Sequence, residues 1–156
     1  GVEFGIKIAS LPGQWFTAPA PMMKGRYTSS EFTEKAQLPW MRHSCVVECY
    51  GMGGFAAAAS PIVCNLRGMT LEESIGQTKE MYRITMEKNY NFPIPNLDFD
   101  FLPVGIDIRK VLKEGVCPAI HGGMFNRVGG LIGAGMARVP MQCFEKALVA
   151  FGEKYL

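Results

Sequence analysis

The sequence predicts an α+β domain in which a mixed sheet, including an N-terminal hairpin, carries several helices packed against it. Three observations lead there. The chain opens on an alternating apolar–polar run, and glycine-rich strand-like runs recur late. Between and after them lie helical patterns that do not alternate regularly with strands. At 156 residues and 48% apolar, residues 1–156 read as one domain large enough for its own core.

Val2-Glu3-Phe4-Gly5-Ile6-Lys7-Ile8 alternates as a half-buried strand does. Leu11-Pro12-Gly13 is a turn signal, and Gln14 to Thr17 reads as the return strand. Ala18-Pro19-Ala20-Pro21 ends it, because proline cannot donate to a ladder. Residues 24–44 are polar and irregular, with His43 in an exposed loop. Residues 54–66 read as a buried helix bent at Pro61. Thr70-Leu71-Glu72-Glu73 is a capping box, and the helix it opens should run to about Lys88, with Leu71, Ile75, Thr78, Tyr82 and Thr85 along one face. Phe92-Pro93-Ile94-Pro95 reads as a loop and residues 97–101 as a short strand. Asp107 to Glu114 is a short helix ended by Gly115. Residues 116–120 form a buried strand, Gly122-Gly123 a turn, and residues 129–139 a returning strand. Pro140 suits the start of a final helix whose stripe is Met141, Phe144, Ala147, Leu148, Phe151 and Tyr155. The hairpin, the strand near 116–120 and the glycine stretch are expected to share one sheet.

A formal charge of +2 with no basic run argues against a nucleic-acid partner or an acidic membrane surface. No apolar run reaches the roughly 18 residues of a membrane span. The five cysteines are an odd number without a CxxC pair, which suits a reduced, cytoplasmic setting. They read as buried apolar thiols rather than as ligands of a metal with His43 and His121; neither metal nor cofactor is expected. The chain starts at Gly1 and runs directly into a strand, which reads as a piece of a longer protein.

The candidate chemistry centres on Glu48, which lies inside an apolar run, Val46 to Tyr50, that meets Gly51, Gly53 and Gly54. Gly51 to Ala56 fits a loose G-x-G-x-x-A pattern, but the second strand and ribose-binding acid of a dinucleotide fold are missing. A buried carboxylate there is a base, an orienting group or half of an ion pair, with Arg109 or Arg138 as partner. Glu48 and the N–H groups of residues 51–55 are expected to face one cavity, with Glu48 capping the following helix or an anion doing so. His121 is placed at a strand end, as a catalytic or a structural histidine. Gly133 and Gly135 with Arg138 either hold a small anion by N–H groups and a guanidinium fork or lie close against another backbone. Trp15 and Thr17 either line a pocket or, for the tryptophan, enter the core.

Four ordered stretches carry a resemblance: Trp15 to Pro21, Glu48 to Gly54, Pro103 to Arg109, and Gly133 to Leu148. Together they resemble the YlbE-like family, and they match the C-terminal part of a longer family protein. The resemblance departs around Glu48, where His43-Ser44 and Val47-Glu48-Cys49 stand in place of an Asp-Ser pair and flanking threonines. It implies a cytoplasmic subunit of an oligomeric assembly with an FdrA-like partner. It also implies a role in purine-nitrogen catabolism (allantoin degradation), where an oxamate carbamoyltransferase converts oxalurate and phosphate to oxamate and carbamoyl phosphate. On that reading Glu48 and His121 are catalytic. Thr17, Gly51, Gly53, Gly54, Arg109, Gly133, Gly135 and Arg138 hold a small anionic substrate. The alternative is a non-catalytic assembly domain whose glycine-rich surfaces only pack.

Overall fold

Three separate antiparallel sheets, not one mixed sheet, organise the chain in a computed structural model that describes residues 1–41 and 45–156. The expectations for His43 and Ser44 lie outside the described residues. The α+β class and the packing of helices on sheets hold.

The hairpin pairs β1 (Glu3–Ile6) with β2 (Phe16–Pro19) as a sheet of its own, with Phe4 opposite Ala18. Pro19 belongs to β2, at the end of the ladder opposite Glu3. The long C-terminal helix α5 (Met141–Tyr155) lies across this hairpin and buries Cys143, Phe144 and Ala147. Trp15 is not in the core: it is 62% exposed, with the Lys7 ammonium 4.5 Å from its ring centre.

The second sheet takes the order β3 (Lys24–Tyr27), β7 (Leu131–Arg138), β6 (Ala119–Phe125). Its centre is glycine against glycine. Gly135 pairs with Gly25 on one side and Gly122 on the other. A Cβ on Gly25, Gly133 or Gly135 would run into the neighbouring strand's backbone. That close approach explains why a polar segment read as irregular becomes a strand: β3 is recruited by the bare backbone of β7, not by its own pattern. It also places Gly122-Gly123 inside β6 instead of in a turn.

The third sheet is the ribbon of β4 (Thr85–Ile94) and β5 (Asp100–Ile106). The capped helix α3 (Leu71–Arg83) therefore stops five residues before Lys88, where Thr85 turns its hydroxyl back to the Met81 carbonyl at 3.0 Å. Its Thr70 capping box is present as read. The buried face is rotated from the expected stripe: Ser74, Gln77, Thr78 and Met81 are inside, whereas Leu71 is exposed. Pro93 is accommodated in β4 because the register slips between Asn89 and Pro93. β5 begins at Asp100, not at 97.

The remaining helices are short. Helix α1 (Val46–Cys49) leads into the glycine cluster. A 3-10 helix (Gly53–Ala59) and α2 (Pro61–Leu66) replace the single bent helix of 54–66, broken at Ser60. Helix α4 (Ile108–Glu114) starts at Asp107, whose side chain accepts the Arg109 N–H, and ends at Gly115 with φ of 64°. The main core joins these layers through Phe4, Phe55, Met81, Ile84, Ile120 and Phe144. No helix among the described residues is long and apolar enough to cross a membrane.

Candidate functional site

Two hollows flank one knot of polar contacts, and the residues singled out from the sequence divide between them. The knot is built on Glu48, which is 3% exposed. Its Oε1 accepts the backbone N–H of Gly54 at 3.3 Å and that of His121 at 3.4 Å. The glycines before the 3-10 helix make this possible. Gly53, with φ of 61°, leaves room where a Cβ would strike the Glu48 carboxylate, and a Cβ on Gly54 would strike the Ala119 carbonyl. Gly51, with φ of 92°, passes close over the Pro103 carbonyl. Gly53 and Gly54 therefore wrap a carboxylate, and Glu48 caps the helix they open by accepting the Gly54 N–H. The G-x-G-x-x-A pattern follows a helix, not the strand that a dinucleotide turn needs.

On one side of the knot lies a cavity of about 440 Å³, walled by Phe4, Ile6, Ile106, Ile120 and Phe144. Glu48, Lys7, Asp107 and Arg109 also line it. Arg109 pairs with Asp107, Nη2 to Oδ2 at 2.7 Å and Nε to Oδ1 at 3.0 Å. That guanidinium holds the Asp107 carboxyl below the usual carboxylate range. Cys45 borders the same cavity, and burial, reinforced by Glu48, pushes its thiol up to about 12. It is no nucleophile at neutral pH.

On the other side a groove of about 550 Å³ runs between β3, β7 and α3, lined by Lys24, Arg67, Glu73, Gln77, Glu80 and Arg138 among others. Arg138 is held in place twice: Nη1 donates to the Cys117 carbonyl at 2.9 Å and Nη2 pairs with Glu80 at 2.5 Å. Glu73 accepts the Thr70 N–H at 2.7 Å. Three cations thus face two carboxylates that are already engaged. Lys24 forms no ion pair among the described residues.

His121 joins the groove to the knot. It lies within β6 opposite Met136, not at the strand's end. Its Nε2 is 3.0 Å from Gln77 Nε2, and Gln77 Nε2 also donates to the Gly54 carbonyl at 2.5 Å. Since that carbonyl can only accept, the Gln77 nitrogen is the donor and His121 Nε2 must accept, which leaves its proton on Nδ1. Burial first, then Arg67 and Arg138, lowers the His121 pKa to about 4. The ring is neutral at pH 7.

Glu48 and His121 are brought together, and Arg138 lines the same groove as Gln77, the hydrogen-bond partner of His121. Arg109 faces the opposite hollow with Glu48. Thr17 lines neither: its hydroxyl donates to Glu3 at 3.3 Å on the hairpin, and its carbonyl accepts from Lys146. Gly133 and Gly135 lie tight against the backbone of β3. Lys24, Arg67 and Gln77 escaped sequence reading. Gln77 carried a signal, a polar residue three and four positions from Ser74 and Met81 on the face that is buried.

Known proteins resemble this chain along most of its length. A family model described as oxamate carbamoyltransferase subunit AllG matches residues 1–44. The chain is 40% identical over 99% of its length to the uncharacterized protein YahG of Escherichia coli K12, covering 33% of that protein. It is 36% identical over 98% of its length to the oxamate carbamoyltransferase subunit AllG of the same organism, covering 37% of it. The chain thus spans about a third of the curated relatives it matches. A crystal structure of a conserved protein of unknown function from Enterococcus faecalis V583 superposes with a TM-score of 0.92 at 39% identity, over 97% of this chain and 37% of that one.

Proposed function

We propose that this chain is the substrate-holding part of a carbamoyltransferase subunit, with the groove between α3 and β7 as its anion site. The observation that carries the reading is the 36% identity to AllG along 98% of the chain. The chemistry of the groove supports it. Oxalurate, phosphate, oxamate and carbamoyl phosphate are all anions. Phosphorolysis of oxalurate moves the carbamoyl group from the oxamate nitrogen to a phosphate oxygen. It needs alignment of two anions and relief of their charge more than a protein nucleophile. Arg138, fixed by Glu80 and Cys117, supplies a rigid guanidinium, and Arg67 and Lys24 supply further positive charge.

On this reading Glu48 and His121 act as positioning residues. Glu48 holds the turn at Gly54, and His121 holds Gln77. Glu48 and Arg109 border the apolar cavity, where a second group of the substrate or a partner's side chain would enter. The subunit works in a cytoplasmic oligomer with an FdrA-like partner, in purine-nitrogen catabolism, as the YlbE-like resemblance implies.

The test is a phosphorolysis assay on the intact protein with its partner subunits, following carbamoyl phosphate formed from oxalurate. Arg138→Ala should lower the rate at least roughly a hundredfold while the assembly still forms. A second reading, an assembly domain without a site, is favoured by the spending of Gly133, Gly135 and Gly51 to Gly54 on backbone packing. It predicts that Arg138→Ala leaves the rate of the assembled complex unchanged.

A further inference from the structure

The wall of the groove holds a buried acceptor that nothing in the described structure uses. Gln77 is 4% exposed and lines the groove. Its Nε2 is committed to the Gly54 carbonyl and His121 Nε2, so the amide cannot flip without opposing oxygen to oxygen. Its Oε1 is buried without a hydrogen-bond partner, and so is Arg67 Nε at the same groove. An orphaned buried acceptor is costly, and native structures hold few of them. One acceptor and one donor without partners in the wall of a groove with positive charge describe a ligand of matching polarity. Its anionic end meets Arg67, Lys24 and Arg138, and its other end donates a hydrogen bond.

We propose that Gln77 is the specificity-determining residue of this groove: its Oε1 accepts an N–H or O–H from the end of a small anion opposite the charge, and analogues lacking that donor are rejected. His121 is the residue that holds the amide in this orientation. The inference rests on the groove being the anion site of the preceding reading, but not on the anion being a transferase substrate.

Two ligand pairs separate these points on the intact protein, with dissociation constants measured by calorimetry. Oxamate and N,N-dimethyloxamate share a charge but only the first has N–H donors. Glycolate and methoxyacetate differ likewise in an O–H and have no link to carbamoyl chemistry. The expected result is that the donor-bearing member of each pair binds roughly tenfold or more tightly than its partner. Gln77→Leu should bring both ratios close to one. Arg67→Met, at the half-buried end of α2, should weaken every ligand and leave the ratios in place. Should Gln77→Leu not fold, the wild-type ratios alone decide. Ratios near one in both pairs, or ratios that survive in a folded Gln77→Leu protein, overturn the proposal, as does the absence of binding by all four. A ratio in the glycolate pair with no binding of oxamate leaves Gln77's role standing and removes the transferase reading.

Discussion

Acidification should unlock the Gln77–His121 contact, and the size of the effect follows from the structure. His121 has its pKa lowered from 6.5 to about 4, chiefly by burial. The folded protein therefore holds the ring neutral where the unfolded chain would protonate it. Stability is full above pH 6.5, falls as the pH drops through the window from 6.5 to about 4, and stays reduced below it. The gap corresponds to roughly 3 kcal/mol, with a slope of at most about 1.4 kcal/mol per pH unit. The Gln77–His121 hydrogen bond sets the same scale. A protonated ring would turn Nε2 into a donor facing the Gln77 donor, and losing one buried hydrogen bond that way costs about 1–3 kcal/mol. Asp100 and Asp107 have carboxyls held below their usual 3.8, so their contribution is lost only at lower pH. The assay is urea unfolding of the wild type and of His121→Gln from pH 7.5 to 4. The difference between them should shrink by roughly 3 kcal/mol toward acid. Parallel curves, or a His121 imidazole that titrates near 6.5 by NMR, would refute the reasoning.

Further outcomes are expected elsewhere. Gly54→Ala drives a Cβ into the Ala119 carbonyl, backbone against backbone, and should cost at least about 2–3 kcal/mol in urea unfolding. Gly76→Ala has open space in mid-helix and should stabilise by about 0.5–1 kcal/mol; equal effects of the two would show that the close packing is misjudged. Thr70→Ala removes the capping box of α3 and should cost about 1 kcal/mol by the same measurement. Cys45, pushed up to about 12, and Cys143, pushed up to about 11, should alkylate with iodoacetamide at pH 8 at least roughly tenfold more slowly than a free cysteine; labelling at the free rate would contradict their burial.

What could be read from the chain depended on how local the cause was. The start of α3 at Thr70, the bounds of α4 at Asp107 and Gly115, and the Phe144 and Ala147 part of the α5 stripe are set by neighbours in sequence, and they were legible; Tyr155 is half exposed and Cys143, outside the expected stripe, is buried. The division into three sheets was not. Strand β3 is mostly exposed and polar, and it exists because Gly133 and Gly135, more than 100 residues away, let it approach. The end of α3 was misread for a similar reason: Thr85 to Lys88 pairs with Pro103 to Ile106, a partner no helical periodicity can reveal. At the site, Glu48, His121 and Arg138 announced themselves as charged or titratable residues beside glycines. Lys24, Arg67 and Gln77 come from three segments that only the fold brings together, and each taken alone is an ordinary polar residue.

On the function proposed above, the groove between α3 and β7, not the apolar cavity beside Glu48, receives the anion. A crystal structure of the intact protein soaked with oxamate tests it most directly. Oxamate is expected in the groove, its carboxylate against Arg67 and Arg138 and its amide nitrogen within hydrogen-bond distance of Gln77 Oε1. Oxamate bound instead among Lys7, Arg109 and Glu48, with the groove filled by other parts of the protein, would contradict it.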